Sequence, residues 1–168
     1  MRVLGIDPGL GCTGYAVIES RPAAGRRVTT DGIIVREAGV IRPQARQSLA
    51  LRLKHVYEAV CGLIQRYQPE VVALEELYSH YQHPRTAIIM GHVRGVICLA
   101  ASVHNITVVG YAARRVKQVL TGTGAAPKEQ VQQAVQQWLG LATLPSPHDV
   151  ADALALAIAH IHMKRSCV

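Results

Sequence analysis

Asp7 and Glu75 each close a short apolar run, VLGI before Asp7 and VVAL before Glu75. A carboxylate at the carboxyl end of a buried strand sits where an open α/β sheet binds its ligands, because the loops there open a crevice. Two such carboxylates repel when brought together, unless one is protonated or a cation bridges them. Asp149 and Asp152 are three residues apart, on one face of the first turn of a helical stretch. The four supply enough oxygen ligands for two hard divalent ions, Mg²⁺ or Mn²⁺, which bind through a few carboxylates, waters and substrate phosphates. Paired ions of that kind activate an attacking water and stabilise the leaving oxygen of an in-line phosphodiester displacement.

Each acid alone has an ordinary alternative. Asp7-Pro8-Gly9 is also a turn, Glu75-Glu76 a solvated strand end, and Ser146-Pro147-His148-Asp149 a helix capping box. Asp152 lies among Val150, Ala151, Ala153 and Leu154, where a carboxylate needs a partner or a cation. Only the four acids as a set point to metal chemistry.

The elements that must position these acids follow from periodicity. Val3 to Ile6, Thr13 to Ile18 and Gly32 to Val40 read as three consecutive antiparallel strands, with an exposed turn at 21–27 before the third. Leu49, Leu53, Val56, Tyr57, Val60, Leu63, Ile64 and Tyr67 recur at spacings of three and four, a helical stripe that Pro69 ends. Val71 to Leu74 is a compact buried strand. Ala87 to Ala101 is a helix apolar on more than one side, with Gly91 and Gly95 four apart, and Ile106 to Val109 is a fifth strand. A helical segment starts near Ala112. Pro127 begins another, with Val131, Val135, Trp138 and Leu139 inward, and Val150 to Met163 is the last helix. This order predicts one α/β domain over residues 1–168, a mixed five-stranded sheet flanked by helices.

The net charge of +7 and the pI near 9.6 point to a polyanionic partner. No run reaches the roughly 18 to 20 uninterrupted apolar residues of a membrane span. Cys12, Cys61, Cys98 and Cys167 are scattered, with no C-x-x-C pair, and read as buried or incidental thiols of a reducing cytosol. A cytoplasmic protein with no membrane partner is expected.

The stretches around the acids closely resemble RuvC, the bacterial Holliday junction resolvase family. They are GIDPGLGCTGYAVIE at the start, ALEELY around Glu75, GHVRGV in the middle, YAARRVKQ at 111–118, and DVADALALAIAHIH near the end. The resemblance runs in order through the whole chain. It implies a ribonuclease-H-like fold and a metal-dependent endonuclease that cuts four-way DNA junctions by paired symmetric nicks. It puts the family's metal-binding acids at Asp7, Glu75, Asp149 and Asp152, and its junction-wedging aromatic at Tyr78. The family's DNA-contacting lysines match Lys117 and Lys128. It further implies a homodimer, with the helix of Gly91 and Gly95 as its interface, and a branch-migration motor as partner. His148, just before the third acid, is a ligand or proton carrier in one reading and a solvent-facing helix-start residue in the other. The wedge position carries Tyr where Phe is familiar, and either ring stacks on bases.

Arg114 and Arg115 are open between DNA contact and a solvated basic face. Lys128 stands close to a helix N-terminus, itself an anion site. His80 and His83 read as loop surface, His160 and His162 as packing or surface, and Tyr15 and Trp138 as core or rim. Thr121-Gly122-Thr123-Gly124 lacks the G-K-[ST] of a phosphate loop. An actin-like ATPase would need a duplicated domain for which the chain is too short. A non-catalytic junction binder would have no use for four acids, and a ribonuclease acting on RNA–DNA hybrids differs only in substrate.

Overall fold

A computed structural model describes residues 1–20, 32–77 and 84–166. The expected turn at 21–27, and Tyr78, His80, Tyr81, His83 and Cys167, lie outside them.

Five strands form one sheet: β1 (Arg2–Asp7), β2 (Thr13–Ser20), β3 (Ile33–Ile41), β4 (Val71–Glu75) and β5 (Thr107–Tyr111). Their order is β3-β2-β1-β4-β5. The first three run antiparallel, while β4 and β5 run parallel to β1. Five helices complete the described chain: α1 (Leu49–Tyr67), α2 (Pro84–Val103), α3 (Ala113–Thr121), α4 (Lys128–Leu139) and α5 (His148–Ser166). The expected mixed sheet flanked by helices is present. Several boundaries moved by one to three residues: α2 starts three residues earlier than its apolar pattern, α5 starts at His148 instead of Val150, and Pro127 is the N-cap of α4 instead of its first helical residue.

Because successive strand residues point to opposite faces, each strand feeds two cores. Val3, Ala16, Ile18, Val71 and Ala73 pack under α5, against Leu154, Ile158 and Ile161. Leu4, Ile6, Val17, Val72 and Leu74 pack on the other face, against Val56, Val60 and Ile64 of α1 and Val93 and Ile97 of α2. The same alternation aims residues 3, 5 and 7 of β1, and 71, 73 and 75 of β4, at α5.

The helix lies unusually close to the sheet. A Cβ at Gly5 would land on the Ala153 carbonyl, 3.0 Å from the Ala157 Cβ, and one at Gly14 would run into the Asp149 backbone. Glycine on the strands facing alanine on α5 lets backbone approach backbone, which brings the start of α5 over the end of β1.

Helix α2 corrects one expectation. The stretch Arg85–Val103 is long and apolar enough, by length and composition, to cross a membrane; His92 and Arg94 interrupt the apolar run and hid this in the sequence. Its composition has a local cause. One stripe (Val93, Ile97, Ala100, Ala101) is buried in the core, while Ile88 (60% exposed), Leu99 (53%) and Val103 (57%) form a second stripe on the outside.

The close packing of α5 predicts opposite outcomes for two glycine substitutions. Gly5→Ala should destabilise the protein by about 1–3 kcal/mol through overpacking. Gly62→Ala, on an exposed face of α1 with nothing near its Cβ, should stabilise by about 0.5–1 kcal/mol. Thermal unfolding of both variants checks this, and equal effects would contradict the close-approach argument.

Candidate active site

Asp7 and Glu75 are the last residues of neighbouring parallel strands, aligned by the register Ile6↔Leu74. Both side chains face α5, and Asp7 donates a hydrogen bond to the Glu75 carboxylate. Asp152, one turn into α5, looks onto the same cavity of about 230 Å³, which Asp7, Glu75, Lys117 and Lys128 also line. Asp149 sits at the edge of this group, its backbone against Gly14, the β2 partner of Asp7.

Crowding acids at a half-buried site has an electrostatic cost that their protonation records. The Asp7 carboxyl is pushed up to about 8, first by burial and then by the Glu75 charge. The Asp152 charge, the bond to Glu75 and the Asp149 charge add to the rise. Glu75 is raised by burial, though its bond from Asp7 and the charges of Lys128 and Lys117 pull the other way. Asp152 is raised by burial too, against the pull of Lys128, His148 and Lys117. Burial and mutual repulsion therefore favour a proton held within the Asp7–Glu75 pair, where a cation would otherwise serve.

That donor set fits hard divalent ions: oxygen ligands, an excess of negative charge and a cleft open on one side. Among the described residues, no three His, Cys, Asp or Glu side chains are grouped so as to hold a metal ion as they stand. Acids drawn around an ion here would leave coordination positions for waters and phosphate oxygens.

The other expected residues divide into two groups. Lys117 and Lys128 line the acidic cavity. Arg114 and Arg115 are exposed on the first turn of α3 and line a separate cavity of about 750 Å³ on the other side of Glu75, with Glu76, Leu77 and Gln118. His148 is exposed at the start of α5, close enough for its charge to act on Asp152. Tyr78, three residues beyond Glu75, lies outside the described residues. His160 is buried on α5 and pairs through Nδ1 with the Tyr111 hydroxyl at 2.7 Å, and burial pushes its pKa down. Trp138 donates to the Leu120 carbonyl at 3.3 Å.

Cys12 was missed by the sequence reading as an incidental thiol. Its Sγ donates to Asp149 Oδ2 at 3.4 Å, and burial together with that acid raises its pKa. No spacing pattern signals it, because the contact spans 137 residues of chain. Asp149 thus has a tertiary partner that the capping-box alternative did not anticipate.

A family model described as "Crossover junction endodeoxyribonuclease RuvC" matches residues 3–160. The chain belongs to the RuvC family. It is 47% identical to the RuvC of Rhodopirellula baltica over 156 residues, covering 93% of this chain and 83% of that one. With the RuvC of Caldicellulosiruptor saccharolyticus it shares 44% identity over 161 residues, 96% and 92% of the two chains. The structure of Thermus thermophilus RuvC in complex with a Holliday junction substrate superposes with a TM-score of 0.89 at 31% identity, covering 99% of this chain and 96% of that one. The fold is ribonuclease-H-like, as the sequence resemblance implied, and family membership makes the chain a nuclease.

The shared proton predicts how stability responds to pH when metal is chelated. Asp7 titrates near 3.8 in the unfolded chain and near 8 in the fold. Across that window the fold holds more protons than the unfolded chain, so stability falls as pH rises. Melting temperatures in EDTA should decline from about pH 5 to about pH 9, and Asp7→Asn should flatten the decline. An unchanged slope in the variant would remove Asp7 from the shared-proton pair.

Proposed function

We propose that this chain resolves four-way DNA junctions, cutting two opposed strands symmetrically during recombination and repair. The observation that carries the reading is the half-buried Asp7–Glu75 pair with Asp152 and Asp149 beside it, in a chain of the RuvC family. All of residues 1–168 serve as one nuclease domain. Asp7, Glu75, Asp149 and Asp152 would hold two divalent ions, Mg²⁺ or Mn²⁺, which when bound would supply water activation and charge neutralisation at the scissile phosphate.

The chain's own residues do the rest. Lys117 and Lys128, flanking the cavity, hold the phosphodiester over the acids, aided by the N-terminus of α4. Arg114 and Arg115 carry the adjoining backbone, and Tyr78 stacks into the junction centre. His148, exposed beside Asp152, serves as a proton carrier at the mouth. The 3′ oxygen departs protonated and leaves 5′-phosphate ends.

The exposed stripe of α2 supports a homodimer. Ile88, Leu99 and Val103 lie along one side with Gly91 and Gly95 between them, and small residues there let two helices approach closely. Paired nicking requires two active sites held in fixed relation, which such a dimer provides. A branch-migration motor in the cytoplasm completes the reading as the partner that delivers junctions.

Cleavage of a synthetic four-way junction with Mg²⁺ should give paired symmetric nicks, absent with duplex or RNA–DNA hybrid. Asp7→Asn should abolish cutting while leaving junction affinity within a few-fold, and cutting of the hybrid instead would make the chain a ribonuclease. Junction affinity should fall by about 10³-fold or more between 50 and 200 mM salt if phosphate contacts dominate. Leu99→Glu should convert dimer to monomer in sedimentation and remove paired cutting. A variant that stays dimeric would move the interface elsewhere.

A further inference from the structure

We propose that Arg94, on the buried side of α2, is the positioning residue for Glu75, replacing a backbone hydrogen bond that Pro8 cannot make. Arg94 Nη1 donates to the main-chain carbonyl of Glu75. The need for this donor follows from the sheet. Glu76 N–H donates to the Tyr111 carbonyl at 2.9 Å, so residue 76 faces β5 and the amide and carbonyl of residue 75 face β1. In a parallel ladder with the register Ile6↔Leu74, the amide that would serve the Glu75 carbonyl is that of residue 8. Residue 8 is proline and has no N–H to give.

The carbonyl is left at the point where β4 ends and its acid must be aimed, beside buried Pro8. A buried carbonyl without a donor is costly. The half-buried Arg94 guanidinium reaches it from the opposite layer of the fold. Its second nitrogen lies over Gly110, where a Cβ would be 3.4 Å from it and 2.9 Å from Glu76 Oε1. Among the described residues Arg94 makes no ion pair, and the Glu75 carbonyl is the acceptor of its guanidinium. The strand end is thereby tied on one side to β5 and on the other to α2, the helix assigned above to the dimer interface. An error of an ångström in Glu75 is enough to impair catalysis at a site of this kind.

The inference rests on the nuclease reading for its activity assay, so the test carries a second readout. Arg94→Met should slow single-turnover junction cleavage by about 10- to 100-fold with junction affinity unchanged. Arg94→Lys, which retains a donor, should recover much of the rate. The decisive variant is the double Pro8→Ala/Arg94→Met. Alanine restores an amide to the ladder, so the double variant should cut faster than Arg94→Met alone. Direct Mn²⁺ binding by calorimetry should follow the same order, weakened in Arg94→Met and restored in the double variant, even if the wild-type substrate proved not to be a junction. Junction affinity falling in step with cleavage, without rescue by Pro8→Ala, would make Arg94 a phosphate contact and overturn the proposal. Normal cleavage and metal binding in Arg94→Met would overturn it as well. Loss of stability alone, with rate and metal affinity per folded molecule intact, would reduce Arg94 to a scaffold residue.

Discussion

The contact on which the site depends is the near-touching of α5 and the first two strands. Glycines at positions 5 and 14 leave no side chain between sheet and helix; Ala153 and Ala157 of α5 meet the first, and the Asp149 backbone meets the second. A larger residue at either glycine would lift the helix and carry Asp149 and Asp152 away from Asp7. Two strand acids and two helix acids belong to one site only because this layer is thin.

Bringing them together has a consequence that isolated carboxylates would not show. Burial and mutual repulsion raise Asp7 far enough that it keeps a proton near neutral pH, and Lys117 and Lys128 offset only part of the negative charge. Such a site is poised to exchange a proton for a cation. The stabilities of fold and site are thus opposed: the apolar cores on both faces of the sheet hold together an arrangement of acids that would otherwise separate. Arg94 belongs to the same balance, since it supplies the strand end with a donor withheld by Pro8.

Much of this was legible in the sequence, for identifiable reasons. The short apolar runs VLGI and VVAL mark β1 and β4 and put their terminal acids at equivalent strand ends. The three- and four-residue spacing from Leu49 to Tyr67 matches α1, and the i, i+3 pair at 149 and 152 shares a helix face. What was not legible depends on contacts between distant segments. Cys12 beside Asp149 and Arg94 on the Glu75 carbonyl leave no local pattern. Likewise the spanning length of α2 was obscured because His92 and Arg94 interrupt its apolar run. The separation of Arg114 and Arg115 from Lys117 into adjoining cavities needed the geometry of α3, whose turns point neighbouring residues in different directions.

Half-buried acids that hold a proton near neutral pH must release it when metal binds. Calorimetric titration of Mg²⁺ or Mn²⁺ into the apo protein near pH 7, repeated in buffers of different ionisation enthalpy, counts that proton directly. Release of about one proton per site on metal binding, falling away above about pH 9, is the result predicted. Metal binding with no buffer dependence at pH 7 would mean that the acids are already ionised, and would contradict the account.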